Sequence, residues 1–290
     1  MTAFVILHYK VFKETKNCIN SVLKLKGDKK IIVVDNNSPN DSGQLLLNEY
    51  KNNSLVDIII NKENVGFACG NNIGYLFAKN KYNPDYIVVM NNDMEIQNAE
   101  FISGINKCHN EYDFDIMAPD VFSTKKHKHQ NPDEITDYSL DELKKIKKQI
   151  QFKLKFKFLL KLKSFFYDKT KSKHKNQTEE VPFVNEVKIN VPLHGSFYVF
   201  DSKFISTHNE CFYNKTFMYM ESQILYHKAK IEGLKMVYYP FLQVLHHEDV
   251  ATNSTFKNHY KKAIFTNECL LKSCNAYIEL LESENNVNEQ

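Results

Sequence analysis

The sequence predicts an α/β fold built on a Rossmann-like, mostly parallel central sheet with helices on both faces. Short apolar strands alternate with amphipathic helices over the first 120 residues, which is the pattern of successive βαβ units. Polar residues directly follow several of these strands, as expected where ligands bind at the carboxyl ends of a parallel sheet. The 290 residues, of which 42% are hydrophobic, suffice for one large domain or a domain with an appendage.

Each element is predicted from its own residue pattern. Apolar, β-branched runs predict strands at residues 4–8, 30–35, 55–60, 86–90, 191–201, 236–239 and 243–246. Helical spacing of apolar residues predicts helices at residues 12–25, 44–50, 71–79, 222–232 and 260–282. The order of these elements places the polar ends of the first strands at one edge of the sheet.

Composition narrows the class of protein. No run approaches the roughly 18–20 apolar residues that cross a bilayer, and the N-terminal apolar run is too short for a signal-peptide core. We therefore expect a cytoplasmic body. The six cysteines form no CxxC pair, which favours free buried thiols over zinc ligands or disulfides. All 38 basic residues are lysine, so a phosphate would be held by lysine, metal or backbone N–H groups.

A lysine-rich segment interrupts the alternation. Residues 144–175 contain 13 lysines and a single acid, Asp168, although the chain as a whole has a formal net charge of only +3. Lysine alternates with Phe and Leu at a strand period over residues 152–158, whereas the spacing around residues 140–150 is helical. The pattern therefore leaves the secondary structure of this segment open.

Two polar stretches are candidates for ligand binding. Asp35 ends a strand, where a carboxylate can accept hydrogen bonds from a base or ribose, although a turn or helix cap is the commoner role of a lone Asp. In NVGFACGNNIG, residues 64–74, Gly66 and Gly70 permit close approach of a ligand, and Asn71 and Asn72 lie at a predicted helix start. The alternative is a glycine-rich connection with capping asparagines.

Two acids and a histidine are candidates for chemistry. Asp93 follows an apolar strand, where a carboxylate beside a diphosphate suits a hard divalent cation, or simply forms a turn. Glu221 begins a predicted helix with few charged neighbours and is either a general base or a favourable first-turn acid. Neighbouring residues of a strand face opposite ways, so only one of His246 and His247 can complete a metal site.

Taken in order, seven segments of the chain resemble the inverting family-2 glycosyltransferases. They read VILHYK, VVDNNS, NVGFACGNNIG, VVMNND, HGSFYVF, YMESQIL and VLHHED. The resemblance covers nearly everything except residues 121–185, and NVGFACGNNIG is its most specific element. It is greatest to bacterial rhamnosyl-, galactosyl- and related transferases of capsule and O-antigen synthesis.

The resemblance implies a glycosyltransferase A fold with a basic insertion and C-terminal helices. It implies four parts, which are a nucleotide-sugar-binding half at residues 1–120, the lysine-rich insertion at 121–185, an acceptor and catalytic half at 186–250 and a C-terminal helical segment at 251–290. The implied partners are a UDP- or dTDP-linked sugar as donor and a glycan or lipid-linked glycan as acceptor.

Position in these motifs also implies roles for individual residues. Asp93 and His246 would hold Mn²⁺ or Mg²⁺, which neutralises charge on the leaving nucleotide diphosphate. The donor pocket would be formed by residues at strand ends and in the glycine-rich motif: His8, Tyr9, Asp35, Asn37, Asn64, Gly66, Phe67, Asn71, Asn72, Asn91, Asn92, Gly195 and Ser196. The family's usual catalytic Asp falls on Ser222, which cannot accept a proton as a carboxylate does, so the preceding Glu221 is the predicted base.

The expected activity is an inverting, metal-dependent hexose transfer to a bacterial surface polysaccharide or lipid-linked glycan. The change at Ser222 leaves open a catalytically impaired glycan-binding protein. Residues 140–175 could contact an anionic membrane surface, bind a lipid diphosphate-linked acceptor or form a solvated insertion. The interleaved Phe residues favour peripheral contact with the inner face of the cell membrane. Nucleic-acid binding is the other alternative and is disfavoured, because the charge is confined to one segment and no RNA-binding motif is present.

Overall fold

The computed structural model describes residues 1–134, 137–158, 161, 183–248 and 258–288. The first part of the chain is a regular alternation of strands and helices. Its elements are β1 (Thr2–His8), α1 (Phe12–Leu23), β2 (Lys29–Asp35), α2 (Ser42–Tyr50), β3 (Val56–Ile60), α3 (Gly66–Tyr82) and β4 (Tyr86–Asn91). All seven predicted elements are present.

The second part is less regular. Its elements are β5 (Met94–Glu95), α4 (Phe101–Tyr112), β6 (Ile116–Ser123), β7 (Lys128–His129), α5 (Leu140–Lys155), β8 (Lys188–Ile189), β9 (Phe197–Asp201), α6 (Ser202–Thr207), α7 (Glu221–Glu232), β10 (Met236–His246) and α8 (His259–Asn288). Strand β6 runs across the boundary expected at residue 120. No helix among the described residues is long and apolar enough to cross a bilayer.

The strands form one mixed sheet in the order β3-β2-β1-β4-β9-β6-β10-β5, with β7 on β6 and β8 on β10. Strands β1 to β4 pair in parallel. Strand β9 is antiparallel to both of its neighbours, β4 and β6, and β10 is parallel to β6. Because β9 is antiparallel to both β4 and β6, strands β6 and β10 run in the same direction as β4. The carboxyl ends of β4 and β10 and the amino end of β9 therefore share one edge of the sheet.

Helices cover both faces of the sheet, as the alternation of apolar side chains along the strands requires. Phe4 and Ile6 of β1 face a core shared with α1 and α4. Ala3 and Val5, on the opposite face, pack in a core that includes residues of α3, α6 and α7. This architecture confirms the predicted α/β fold with a central sheet between helices.

Helix α3 begins at Gly66, five residues before the predicted start at residue 71. The glycines of NVGFACGNNIG are therefore mostly helical, and the helix lies directly on the sheet. A Cβ atom at Gly70 would be 2.5 Å from Leu7 Cδ1, and one at Gly74 would be 2.4 Å from Val5 Cγ1. Their spacing of four residues puts both on one helix face, so close helix–strand packing explains Gly70 and Gly74.

Three further expectations are corrected. Of the strand predicted at residues 191–201, only Phe197–Asp201 is a strand. The preceding residues include Pro192, which has no N–H to donate to a sheet. The two predicted strands after residue 236 are one strand, β10, whose pairing with β6 shifts between Tyr239 and Gln243, where Pro240 interrupts it. The 94–120 region holds α4 and β6, for which no element was predicted.

Residues 152–158 do not form a strand. Helix α5 extends to Lys155, and its start is fixed by a capping box in which Ser139 and Glu142 satisfy each other's backbone N–H groups. Leu143 and Ile150, seven residues apart on one helix face, are its buried residues. The helical flank therefore decides the conformation of residues 152–155. Of residues 159–182, all but Lys161 lie outside the described residues.

Gly66 is expected to tolerate no side chain. Its φ of +85° is unfavourable for an L-residue, and an added Cβ would be 2.4 Å from the carbonyl oxygen of Phe217. Gly66→Ala should lower the free energy of unfolding by about 2–4 kcal/mol, measured by urea denaturation. Gly233 has a φ of +68° with open space around it, so Gly233→Ala is the control for backbone strain alone. Equal losses in the two variants would contradict the packing role.

Candidate functional site

The shared edge of the sheet brings together several side chains that are distant in sequence. Strand β1 ends at His8, β2 at Asp35 and β4 at Asn91, while β10 ends at His246. Ser196 immediately precedes β9, and its carbonyl accepts a hydrogen bond from the N–H of Asn91 at 2.9 Å. Ligands of open α/β sheets bind at such an edge, which makes it the candidate site.

Asp93 and His246 face one another at this edge. The distance from Asp93 Oδ1 to His246 Nε2 is 3.4 Å, and both side chains are buried. Strand β5 pairs antiparallel with the end of β10, which places Met94 opposite His246 and so holds Asp93 beside it. The Oδ1 atom of Asp93 is buried and finds no hydrogen-bond partner among the described residues. An unpaired buried carboxylate oxygen is costly, and a bound cation would offset that cost.

The residues present fit a divalent metal ion. Two ligands that are each about 2.1 Å from one ion lie roughly 3.0–3.4 Å apart, which matches the observed separation. The other ring nitrogen of His246, Nδ1, bonds Gln130 Oε1 at 2.7 Å, so Nε2 is the nitrogen that faces Asp93. The described residues hold no cluster of three or more His, Cys, Asp or Glu side chains of metal-binding geometry. Substrate oxygens and water would supply the remaining ligands, as is usual for Mg²⁺.

His247 points away from this pair. Its Nε2 lies 3.0 Å from Glu95 Oε2 and its Nδ1 lies 3.1 Å from Thr124 Oγ1. Neighbouring strand residues face opposite ways, and His246 is the one whose ring faces the Asp93 carboxylate, whereas His247 lines a pocket with Met94 and Glu95.

Glu221 is presented by an unusual backbone. Tyr219 and Met220, immediately before it, have φ of 75° and 67°, in the left-handed region that non-glycine residues rarely occupy. Strain of this kind is maintained only where the surroundings enforce it, and it concentrates at functional sites. Here Glu221 becomes the first residue of α7 with its carboxyl group buried.

The carboxyl group of Glu221 is tuned toward neutral pH. Burial raises its pKa to about 7, although hydrogen bonds from backbone N–H groups and from Thr216 oppose the rise. Its Oε1 atom is buried and has no hydrogen-bond partner among the described residues. A carboxylate with a pKa near the working pH and one free oxygen has the properties of a general base.

The C-terminal helix α8 supports the loop before Glu221. The hydroxyl of Ser273, which is fully buried, donates to the carbonyl of Met218 at 2.9 Å, and Thr266 lies 3.3 Å from the hydroxyl of Tyr219. Met220 packs with Cys274 and Tyr277 in a small apolar cluster. These contacts hold the strained backbone in place from outside the sheet.

Residues 194–196 lie between the Asp93–His246 pair and the start of the helix that carries Glu221. A Cβ at Gly195 would be 2.5 Å from Ser222 Oγ, so the start of α7 packs directly on this segment. The ring of the preceding His194 lies 5.7 Å from that of His246, centroid to centroid. Burial and the neighbouring His246 lower the pKa of His194 to about 4, so this ring is neutral at pH 7. The predicted base and the predicted metal ligands therefore flank one short segment.

Asp35 and His8 are buried at the edge and largely satisfied by protein groups. Asp35 accepts from the hydroxyl of Ser38 at 2.5 Å. The two ring nitrogens of His8 lie 2.6 Å from Thr15 Oγ1 and 2.8 Å from Ser42 Oγ. Burial lowers the pKa of His8 to about 4 despite nearby Asp35. His8 has no exposed surface, so this geometry supports a role in holding the edge together.

Asn36 lies at the predicted strand end between Asp35 and Asn37, but the sequence assigns it no individual role. Its amide nitrogen donates to Asn64 Oδ1 and to the carbonyl of Gly66, each at 2.9 Å. Its amide oxygen accepts from the N–H of Val65 at 3.1 Å. Asn36 thus ties the end of β2 to the start of α3, whereas the neighbouring Asn37 is exposed. The repeated Asn in VVDNNS was the available signal.

The predicted donor residues of α3 have different surroundings. Asn72 uses its whole amide on the protein, since it donates to the carbonyl of Phe212 at 2.7 Å and accepts from the N–H groups of Cys211 and Phe212. Gly66 approaches the backbone of Phe217 rather than an open cleft, and the Phe67 ring lies 5.5 Å from that of Phe212. Asn71 differs, because its buried Oδ1 has no partner among the described residues.

The remaining predicted residues lie around the edge. The amide of Asn92 donates to Thr15 at 2.9 Å and so joins β4 to α1. Asn91 and Tyr9 are half-buried, and the ammonium group of Lys10 lies 4.9 Å from the centre of the Tyr9 ring. Ser196 is buried beside His194, whose Nδ1 lies 2.8 Å from its hydroxyl.

The sequence model of the family described as Glycosyl transferase family 2 matches residues 3–170, which is more than half of the chain. The chain belongs to this family. The predicted family is thereby confirmed, and four of the seven motifs, VILHYK, VVDNNS, NVGFACGNNIG and VVMNND, lie in the matched region. The matched region includes Asp35, the motif at residues 64–74 and Asp93, and it ends before Glu221 and His246.

Individual family members and folds of known structure are similar to parts of this chain. A low-salt glycan biosynthesis hexosyltransferase, Agl10 of Haloferax volcanii, is 26% identical over 121 residues, which are 42% of this chain and 36% of that protein. The structure of S. aureus TarS 1-349 in complex with UDP superposes with a TM-score of 0.52 at 11% identity and covers 85% of this chain and 60% of that one.

A third similar structure is that of GalNAc-T7 with UDP, GalNAc and Mn²⁺. It has a TM-score of 0.55 and 13% identity, over 85% of this chain and 44% of that one. At such low identities the likeness shows the fold alone, and it confirms the predicted glycosyltransferase A type. The chain spans about a third of the curated relative and at most 60% of these structures.

The two asparagines of α3 should separate in their effects on stability. Asn72→Ala removes an amide that serves backbone groups of Cys211 and Phe212, which become unpaired in the interior. It should lower the free energy of unfolding by about 2–4 kcal/mol. Asn71→Ala is the matched control and should cost about 1 kcal/mol or less, since one of its two polar atoms is already unpaired. Urea denaturation measures both, and similar losses would contradict this division of roles.

Proposed function

We propose that this chain transfers a hexose from a nucleotide diphosphate sugar to a glycan acceptor, with a divalent cation held by Asp93 and His246. The observation that carries the proposal is the buried, unpartnered Oδ1 of Asp93, 3.4 Å from His246 Nε2 at the ligand-binding edge of the sheet. Mn²⁺ or Mg²⁺ bound there would stabilise the negative charge of the leaving diphosphate. Membership of a glycosyltransferase family supports the proposal.

Glu221 is proposed as the general base. The acceptor hydroxyl attacks the anomeric carbon of the donor sugar and its proton passes to the Glu221 carboxylate. A new carbon–oxygen bond forms as the bond to the diphosphate oxygen breaks, with inversion at that carbon. Ser222, the next residue, is packed against Gly195 and has no carboxylate to offer. A free carboxylate oxygen and a pKa of about 7 suit Glu221 to this step.

The donor is proposed to be UDP-linked. The similar structures of TarS contain UDP and UDP-GlcNAc, and that of GalNAc-T7 contains UDP with Mn²⁺. Agl10 is named a hexosyltransferase of glycan biosynthesis, which supports a hexose as the group transferred. We propose that Asp35, Asn37 and Asn64 face the nucleotide, while Asn71, with its unpaired Oδ1, serves the donor deeper in the site. The dTDP-linked sugars remain the alternative donors.

Helix α5 is proposed to contact an anionic membrane, where lipid-linked glycan acceptors are located. Phe152 near the end of α5 and Phe158 just after it are 56% and 58% accessible, and Phe156 lies between them with ring separations of 4.6 and 6.2 Å. Lys153 and Lys155 flank these rings. Aromatic side chains that enter the headgroup region and lysines that face lipid phosphates are the features of interfacial helices. Most of residues 159–175 lies outside the described residues.

Cation and nucleotide binding should depend on each other and on Asp93. In a thermal-shift assay, UDP with Mn²⁺ should raise the melting temperature of the wild type more than the sum of the separate additions, because a cation held by Asp93 and His246 would strengthen binding of the diphosphate. Asp93→Asn should abolish this synergy, while Asp57→Asn, at a half-buried carboxylate of β3 that pairs with Lys81, should retain it. Synergy that survives in Asp93→Asn would contradict the proposed site.

Transfer of hexose from a UDP-sugar should in turn be detected as UDP release that requires an acceptor glycan. The rate of hexose transfer and the rate of UDP release should each fall at least about 100-fold in Asp93→Asn, since a charge-stabilising group at the leaving diphosphate is lost. Binding of UDP with Mn²⁺ in the absence of any turnover with UDP- or dTDP-hexoses would favour the glycan-binding alternative.

Glu221→Gln should lower activity and raise stability. The folded-state pKa of about 7 lies above the ordinary value of 4.5, so burial of the carboxylate costs stability as pH rises from about 4.5 to above 7. The variant should therefore be more stable than wild type by about 3 kcal/mol at pH 8 and about equally stable at pH 4.5, as measured by urea denaturation. In the wild type, kcat/KM should rise with pH through about 7.

The same variant should lose about 100-fold or more in kcat, because general-base assistance contributes that order of rate. Glu210→Gln, on an exposed side chain of the neighbouring segment, is the control and should change neither property. Near-wild-type turnover in Glu221→Gln would rule out this residue as the base.

Membrane contact should depend on the exposed Phe residues at and just beyond the end of α5. The double variant Phe152→Ser, Phe158→Ser should sediment with phosphatidylglycerol vesicles at least about tenfold more weakly, because two apolar rings no longer enter the interface. Phe241→Ser is the matched control, since that ring is 64% accessible but lies on β10. Binding of the wild type should weaken at high salt. Equal binding to phosphatidylcholine vesicles at high salt would contradict an anionic surface.

A further inference from the structure

A chain of polar contacts extends from His246 away from Asp93. His246 Nδ1 lies 2.7 Å from Gln130 Oε1, and Gln130 Nε2 donates to Glu248 Oε1 at 2.7 Å. Glu248 Oε2 in turn lies 2.8 Å from the ammonium group of Lys126. Glu248 is only 5% accessible, so the carboxylate depends on these partners.

The chemistry of Glu248 fixes the orientation of the Gln130 amide. An ionised carboxylate can only accept hydrogen bonds, and Lys126 keeps it charged. The NH₂ group of Gln130 must therefore face Glu248, which leaves its Oε1 facing His246. Since a carbonyl oxygen can only accept, His246 Nδ1 must carry a hydrogen.

This hydrogen decides what His246 offers to Asp93. In a neutral imidazole with Nδ1 protonated, Nε2 has a lone pair and no hydrogen. Nε2 and Asp93 Oδ1 are then two acceptors that face each other at 3.4 Å, an arrangement that a cation between them stabilises. If Gln130 were turned over, its oxygen would meet the Glu248 carboxylate, and Nε2 would carry the hydrogen and donate it to Asp93.

Gln130 is placed by a part of the chain outside all seven family motifs. It directly follows β7, and its N–H donates to the carbonyl of Val121 on the adjacent strand β6 at 2.8 Å. Glu248 is turned back toward it by a left-handed backbone with φ of 43°. Two separate backbone features thus converge on one nitrogen of His246.

We propose that Gln130, held by Glu248 and Lys126, is a positioning residue that keeps His246 in the Nδ1–H tautomer, with Nε2 free as a metal ligand; this inference rests on the metal-dependent function proposed above. Hydrogen bonds to the remote nitrogen of a ligating histidine fix its tautomer and orientation. Their loss typically lowers metal affinity by about 10–100-fold. Gln130 and Glu248 therefore act on the cation only through His246.

The test compares Gln130→Leu with Gln243→Leu. Gln243 also donates to a buried carboxylate, that of Asp120, at 2.7 Å and lies three residues before His246 on β10, yet it is not a partner of the His246 ring. The Kd for Mn²⁺ in the presence of saturating UDP, from the electron paramagnetic resonance signal of free Mn²⁺, should rise about 10–100-fold in Gln130→Leu. It should change less than about twofold in Gln243→Leu.

A second readout requires no metal. In ¹⁵N-histidine spectra of the metal-free protein, His246 should be the Nδ1–H tautomer in the wild type and should lose this preference in Gln130→Leu. Glu248→Gln keeps the side-chain volume but frees the Gln130 amide to turn, so it should show the same shift if Gln130→Leu fails to fold.

The outcomes separate the two proposals. A wild type that binds no Mn²⁺ with UDP would contradict the proposed metal-dependent function, whereas the tautomer spectra would still test Gln130. A wild type that binds Mn²⁺, together with an unchanged Kd and an unchanged tautomer in Gln130→Leu, would overturn the role of Gln130 alone.

Discussion

The proposed site depends on two buried side-chain atoms, Asp93 Oδ1 and His246 Nε2, that the fold holds 3.4 Å apart. The two residues are far apart in the sequence, and a single antiparallel strand, β9, allows them to lie close together. Because β9 reverses direction between β4 and β6, strands β4 and β10 run the same way and end at one edge. Without a cation, this arrangement costs the protein a buried, unpaired oxygen.

Glu221 also combines several features that are unfavourable for stability. Its carboxyl group is buried, one oxygen has no partner among the described residues, and two left-handed residues precede it. Each feature is unfavourable on its own. Ser273 and Tyr277 of α8, together with Leu143 of α5, belong to the surroundings that enforce this conformation. Helices α5 and α8 therefore support the loop that carries the proposed base, Glu221.

Local pattern was enough to predict the sheet and the ends of its strands. Short apolar runs predict the strands from β1 to β4. Asp93 and His246 are predicted to lie together because the residues that follow parallel strands share one edge of the sheet. Family motifs added Glu221 by its position beside Ser222. The strands and the meeting of Asp93 with His246 agree with the structure, because each depends on neighbours in sequence or on one general rule of sheets. The role of Glu221 stays a prediction.

Contacts between distant segments were beyond the sequence. The glycines of residues 64–74 permit close approach in either interpretation, and only the structure shows that Gly70 and Gly74 approach β1. Asn72 has the residue type of a ligand-binding amide, but the backbone of residues 211–212 occupies it. Gln130 lies in no motif, and Glu248 lies in VLHHED with no role predicted for it, since their proposed importance arises from hydrogen bonds to His246 and to each other.

The most direct test is a crystal structure of the protein with UDP and Mn²⁺, with anomalous diffraction collected at the manganese edge. A single anomalous peak within about 2.0–2.3 Å of both Asp93 Oδ1 and His246 Nε2, and in contact with the diphosphate, is the predicted result. A diphosphate bound at this edge with the metal elsewhere, or with His246 donating directly to Asp93, would contradict the account.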